Sequence, residues 1–286
     1  MKAECYACLF QQSLRVVQAG NYDEKTKVSA MKTAAGTLSA LKSAQTPPEA
    51  ASVLYPMLSD ILKNPDPYAE QKKLSIRAAK NLISYAEKHI KNSENTIDAA
   101  LRAAVAGNVI DFATEKSFDL DEEFDTIFSA AFSIDHKAEL ISRLNESKNL
   151  VIIGDNVGEH LFDALLVETL AANFPHLRIS YFTRGVEIIN DIVATDALEA
   201  GIDRYAKVVD SGVDTPGFLY GRASREARRH YDEADLILAK GMGNFECLES
   251  EADPRIYFLF KVKCSVVAGH IDRKIGDLIC MKIGQK

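Results

Sequence analysis

No stretch of the 286-residue chain approaches the roughly 20 apolar residues that a membrane-spanning helix needs. The N-terminal MKAECYACLFQQ also lacks the apolar run of a secretory signal. Both absences predict a cytoplasmic protein that neither crosses nor binds a membrane. Basic charge is in deficit, with 34 Lys and Arg against 41 Asp and Glu and a formal net charge of -7. Non-specific nucleic-acid binding relies on clustered cations that release counterions from phosphates, so the balance argues against that partner and favours a small-molecule substrate. A disulfide framework is lacking too, because five cysteines (Cys5, Cys8, Cys247, Cys264 and Cys280) are an odd count in a chain of this size. Cys5 and Cys8 have the spacing of a zinc half-site, but no second Cys or His pair accompanies them. The two thiols are expected to pack on an N-terminal helix.

Apolar residues make up 47% of the chain and charged residues 26%, enough for a large core without staples. From residue 1 to about 147 the apolar spacing is helical, as in Leu101, Val105, Val109 and Phe112, or Ile127, Phe128, Ala131 and Phe132. Helix starts are marked by Thr46-Pro47-Pro48-Glu49 and by Asn64-Pro65-Asp66-Pro67. From 148 to 286 the pattern changes. Short apolar runs at Leu150 to Ile153, Leu177 to Phe182, Lys207 to Val209, Leu236 to Ala239 and Ile256 to Phe260 predict strands. Helices are predicted between them at Glu159 to Asn173, Val186 to Ala200 and Ser224 to Glu233, with a further edge strand over Asp277 to Ile283. The fold class expected is α/β, a helical N-terminal region followed by a Rossmann-like, mostly parallel three-layer α/β/α sheet. No Gly-, Ser- or Pro-rich linker marks the junction, so the two parts are free to share a core.

Ligands of doubly wound sheets bind beyond the carboxyl ends of the strands, and there the sequence is rich in polar residues. The first strand runs into Gly154-Asp155-Asn156-Val157-Gly158-Glu159. A carboxylate and an amide oxygen suit a hard divalent cation, although either side chain would also serve as a plain helix cap. The second strand gives Thr183-Arg184-Gly185 and then Asn190-Asp191, a guanidinium for an anion and another carboxylate for a metal, or else a surface ion pair and a helix start. Asp210-Ser211-Gly212 and Asp214-Thr215-Pro216-Gly217 form a loop suited to a pocket wall. Gly241-Met242-Gly243-Asn244-Phe245-Glu246 offers backbone N–H groups to an anion, or an ordinary tight turn. Lys261 and Lys263 follow the fifth strand on one face. Each motif alone has an ordinary structural explanation; their convergence after successive strands favours a site.

Together these blocks resemble the metal-dependent damage-control phosphatases of the acidic-residue methyltransferase 1-like group, long catalogued as a domain of unknown function. The similarity runs through Cys5-Tyr6-Ala7-Cys8, which marks one branch of the group, Ala106-Gly107-Asn108-Val109-Ile110-Asp111, the Gly154 to Glu159 block, Arg184-Gly185 with Asn190-Asp191, the Gly241 to Glu246 block, and Lys263-Cys264. It departs at Val186, where many relatives have proline. The resemblance implies a divalent metal (Mn²⁺, Co²⁺, Ni²⁺ or Mg²⁺) held by Asp155, Asn156 and Asp191. It implies that Lys263 contacts substrate phosphate, and that Asn108 and Asp111 reach the pocket from the helical region. Glu159, Arg184, Asn190, Gly241, Gly243, Asn244 and Glu246 complete the expected substrate surroundings.

The activity expected is hydrolysis of phosphate monoesters of small metabolites such as sugar phosphates. A carboxyl methyltransferase using S-adenosylmethionine is the rival enzyme, since a methyltransferase activity is claimed for one branch of the group. The Gly-x-Gly-x-Gly that such a cofactor favours is missing after the first strand. A non-catalytic metabolite-binding protein is the other alternative.

Overall fold

The computed structural model describes residues 1–41, 46–107, 126 and 128–284. The first half opens with five helices: α1 (Ala3–Ala19), α2 (Glu24–Ala40), α3 (Pro47–Leu62), α4 (Ala69–Asn92) and α5 (Thr96–Ala106). Their starts follow the sequence signals. Asp23 caps α2 by accepting from Thr26 N at 2.7 Å. Thr46 and Glu49 form a reciprocal capping box on α3, with Pro47 at its first position. Helices α1 to α3 pack around Leu9, Val16, Ala34, Leu54 and Leu58.

The second half alternates: β1 (Phe132–Asp135), α6 (Lys137–Glu146), β2 (Asn149–Ile153), α7 (Glu159–Asn173), β3 (Arg178–Thr183), α8 (Ala194–Glu199), β4 (Lys207–Asp210), α9 (Arg225–Asp232), β5 (Leu236–Lys240), α10 (Gly241–Leu248), β6 (Ile256–Lys261), α11 (Ser265–Ile271) and β7 (Leu278–Lys282). The seven strands form one sheet in the order β1-β7-β6-β5-β2-β3-β4. Only the β6–β7 pair is antiparallel. One face packs under α4, α5, α6 and α7 through residues such as Leu82, Leu101, Phe162 and Leu166. The other packs under α9, α10 and α11 through Phe218, Phe245 and Ile271. The three-layer α/β/α arrangement anticipated from the alternation is present.

Three local expectations change. Phe132 to Asp135 is a strand, not the end of a helix: Phe132 and Ile134 are buried while Ser133 and Asp135 point out, a two-residue period too short to stand out beside helically spaced neighbours. β7 lies between β6 and β1 instead of at an edge. Finally, only Ala194 to Glu199 of the predicted 186–200 helix is helical, because residues before it pair as bridges with neighbouring loops.

Strands β2, β3 and β4 step toward one edge, and the chain then returns to β5 on the other side of β2. Ile153 of β2 lies beside Ala239 of β5 and Phe182 of β3. The carboxyl ends of β2 and β5 therefore flank the point where the strand order reverses, the crevice in which open α/β sheets bind ligands.

Candidate active site

The loops after β2 and β3 are joined by a short antiparallel ribbon. Asn156 and Asp191 form a backbone bridge, Ile192 N donates to Asp155 O at 2.9 Å, and Val157 N donates to Asn190 O at 2.8 Å. The ribbon fits because Gly154 has no Cβ, which would overlap the Tyr181 hydroxyl. Asp155, Asn156 and Asp191, expected together from sequence, are thus adjacent and buried. Asn156 Nδ2 donates to Asp155 Oδ2 at 2.9 Å and to Glu159 Oε1 at 3.0 Å. Asn190 contributes its carbonyl to the ribbon.

Arg184 is no surface residue, having 1% of its area exposed. Its Nε donates to Asp191 Oδ2 at 2.7 Å, and a terminal nitrogen stands 3.9 Å from Asp155 Oδ1 and 3.4 Å from Asn244 Oδ1. Its other terminal nitrogen is buried with no hydrogen-bond partner among the described residues. A phosphoryl oxygen would satisfy such a donor. Gly185 N donates to Val213 O at 2.9 Å, so the expected pocket wall is tied directly to the Arg184 turn.

The glycine block is the first turn of α10 and not a loop ahead of it. Gly241 has φ +78°, and a Cβ there would overlap the Asp155 carboxylate. Gly243 lies against the Pro216 carbonyl. Asn244, expected at the substrate, acts as a brace. Its amide donates to Gly154 O at 3.0 Å and Lys240 O at 2.6 Å, and its oxygen accepts from Phe218 N at 2.8 Å. Burial and the nearby Asp155 charge push the Glu246 carboxyl up to about 7. Lys263 is placed beside α10, its backbone N donating to Met242 Sδ at 3.1 Å. Asn108 and Asp111 lie outside the described residues; Gly107, just before them, packs so closely on α7 that a Cβ would meet the Glu159 Cα at 3.0 Å.

Sequence reasoning missed a second buried network below this one. Lys240 Nζ pairs with Asp163 Oδ1 at 2.5 Å, and Tyr181 Oη donates to Asp163 Oδ2 at 2.7 Å. The overlooked signal is a lysine closing the otherwise apolar strand Leu236-Ile237-Leu238-Ala239, and an aspartate inside the apolar helix α7. Among the described residues of the two networks, the buried carboxylates Asp155, Glu159, Asp163 and Asp191 face the buried cations Arg184 and Lys240. Burial drives the Asp191 carboxyl upward, against the lowering effect of Arg184 and with further raising from Asp155.

This donor set fits a divalent cation. Two carboxylates with an amide oxygen are hard donors suited to Mg²⁺ or Mn²⁺. Among the described residues no three His, Cys, Asp or Glu side chains group to hold a metal; a cation held by Asp155 and Asp191 would take the Asn156 amide oxygen as a third donor. The five cysteines are free thiols. Both Cys5 and Cys8 lie on α1, Cys5 buried and Cys8 exposed.

The sequence profile of the damage-control phosphatase ARMT1-like domain matches residues 1–279. The chain belongs to that family. A damage-control phosphatase of Pyrococcus horikoshii, PH1575, is 34% identical over 281 residues, 98% of this chain and 96% of the relative. A damage-control phosphatase of Archaeoglobus fulgidus is 30% identical over 232 residues, 80% of each chain. The crystal structure of PH1575, described as a DUF89 family protein, superposes with a TM-score of 0.92 and 32% identity over 99% of both chains. Family and fold therefore agree over nearly the whole length. No helix among the described residues is long and apolar enough to cross a membrane.

Proposed function

We propose that the chain is a metal-dependent phosphatase hydrolysing phosphate monoesters of small metabolites such as sugar phosphates. The observation that carries this reading is the juxtaposition of the buried Asp155 and Asp191 carboxylates with an Arg184 nitrogen that has no partner among the described residues. The relatives named damage-control phosphatases support the reaction class.

In this reading Asp155, Asn156 and Asp191 hold a divalent ion such as Mn²⁺, Co²⁺, Ni²⁺ or Mg²⁺. The chemistry such an ion would supply there is polarisation of a phosphoryl oxygen and activation of water. Arg184 fixes the Asp191 carboxylate and presents a terminal nitrogen to the phosphoryl group. Lys263 and the N–H groups at the start of α10 offset charge that grows on the phosphoryl oxygens. Asn108, Asp111, Glu159 and Asn190 are assigned to the surroundings of substrate, and Gly241 leaves room for Asp155. The Cys5-Tyr6-Ala7-Cys8 motif supports assigning the chain to the branch that carries it, and a cytoplasmic location fits the reduced thiols.

A metal-by-substrate matrix tests this reading. Purified protein is assayed for phosphate release from a panel of sugar phosphates and nucleotides with each of the four ions. Release from at least one ester, abolished by chelator, is expected. Calorimetric binding of S-adenosylmethionine with no phosphate release from any ester would contradict it and favour the methyltransferase.

A further inference from the structure

Lys72 lies in the first turn of α4, far in sequence from every motif of the site, yet it is only 6% exposed. A buried ammonium needs compensation, and Lys72 has two carboxylates. Its Nζ stands 3.2 Å from Asp66 Oδ2 and pairs with Glu187. Asp66 belongs to the helical region, where its N donates to Asn64 Oδ1 and its Oδ1 accepts from Tyr68 N, both at 3.1 Å. Glu187 belongs to the segment between β3 and α8 that carries Asp191. The pair is a tether from one half of the chain to the loop of the other.

That loop has to be held. Ile189 has φ +49°, a left-handed conformation that a β-branched residue adopts only where its surroundings impose it. Ile188 is 3% exposed and joins the apolar cluster of α1 to α3, with Ile189 packed against it. Asp191 N donates to Ile188 O at 3.0 Å, so Ile188 to Asp191 form a tight turn directly after Glu187.

We propose that Lys72 is a positioning residue: by clasping Glu187 it fixes the 184–193 segment, and Asp191 with it, where Asp155 and Asn156 meet it. The proposal rests on the metal-binding reading of those three residues. It assigns the helical region a part in setting the geometry of the site beyond covering it. Outer-shell partners of metal ligands commonly change affinity by about 10- to 100-fold when removed.

The sign of the effect separates positioning from simple charge. Lys72 favours ionised Asp191 through space, but as a nearby cation it also repels a metal. Its removal without a geometric role would leave Mn²⁺ binding unchanged or tighter. The test is calorimetric Mn²⁺ binding to the full chain for wild type, Lys72→Met, Lys72→Arg and Glu187→Gln, with thermal melts to establish folding. Binding about tenfold or more weaker in Lys72→Met and Glu187→Gln, and near wild type in Lys72→Arg, is expected. Unchanged or tighter binding in folded Lys72→Met or Glu187→Gln overturns the proposal. The Glu187 side chain is 41% exposed, so Glu187→Gln decides the matter even if Lys72→Met does not fold. Wild type that binds no Mn²⁺ would overturn the reading of the site itself, and this inference with it.

Discussion

Arg184 Nε stands 2.7 Å from Asp191 Oδ2, and the two residues are 1% and 2% exposed. An ion pair this deep is dominated by what happens when one partner is lost. Arg184→Met leaves Asp191 and Asp155 facing each other without their cation, and breaking a buried pair costs about 3–5 kcal/mol. Urea unfolding of the metal-free variant should show a loss of that order; a loss below about 1 kcal/mol would mean that the pair is as weakly coupled as a surface one.

A bound ion should act in the opposite direction. Any ligand that binds only the folded state stabilises it, by about 2.7 kcal/mol at a hundredfold excess over Kd. Mn²⁺ should therefore raise the melting temperature of the wild type. Asp155→Asn with Asp191→Asn, which removes two charges and little volume, should abolish the shift. A melting temperature indifferent to Mn²⁺ in the wild type would argue against the assigned ligands.

Gly241 is the tightest steric point of the site. Its φ is +78°, and a Cβ would overlap the Asp155 carboxylate. Gly241→Ala should combine roughly 1–3 kcal/mol of backbone strain with displacement of Asp155. Loss of phosphate release by about tenfold or more is expected from misplacing a reacting group. Unaltered kinetics would show that Asp155 tolerates movement and is no ligand.

Parts of this arrangement are legible in the sequence for a physical reason. Asp155 and Asn156 follow an apolar strand directly and precede a helix, so local pattern suffices to place them at the carboxyl edge of the sheet. Strands β2 to β7 fall within a residue of their apolar runs, whereas β1 is hidden in helical spacing. Asp191 sits in a segment whose spacing imitates a helix, and the segment's true conformation is set by backbone hydrogen bonds from Ile192 to Asp155 and from Val157 to Asn190 that periodicity does not encode. Lys240, Asp163 and Tyr181 come from three separate elements, and only the finished sheet brings them within hydrogen-bonding distance. Lys72 and Glu187, 115 positions apart, are hidden for the same reason.

Acidity gives a further check. An ordinary glutamate ionises near pH 4.3, whereas Glu246 is pushed up to about 7. Between those values the folded protein holds a proton that the unfolded chain has released, so folding is progressively disfavoured as pH rises through the window. Asp191, also pushed upward by burial, adds in the same direction. Over part of that window His160 acts in the opposite direction, because burial pushes its ring down to about 4, so the readout is the difference between two proteins: metal-free Glu246→Gln should lose less stability, or gain more, than the wild type from about pH 5 to about pH 7.5. An identical pH profile in the two would contradict the environment assigned to Glu246. Metal binding requires ionised carboxylates, so Mn²⁺ affinity should climb over the same range.

The central claim is that Asp155 and Asp191 hold the ion on which phosphate-ester hydrolysis depends. It is tested most directly by measuring Mn²⁺-dependent phosphate release from the best sugar phosphate for wild type, Asp155→Asn and Asp191→Asn, each before and after chelation. Release by the wild type that falls to background with chelator, and by at least about a hundredfold in each folded variant, is the predicted result. Full activity in both variants, or release indifferent to chelation, would contradict it.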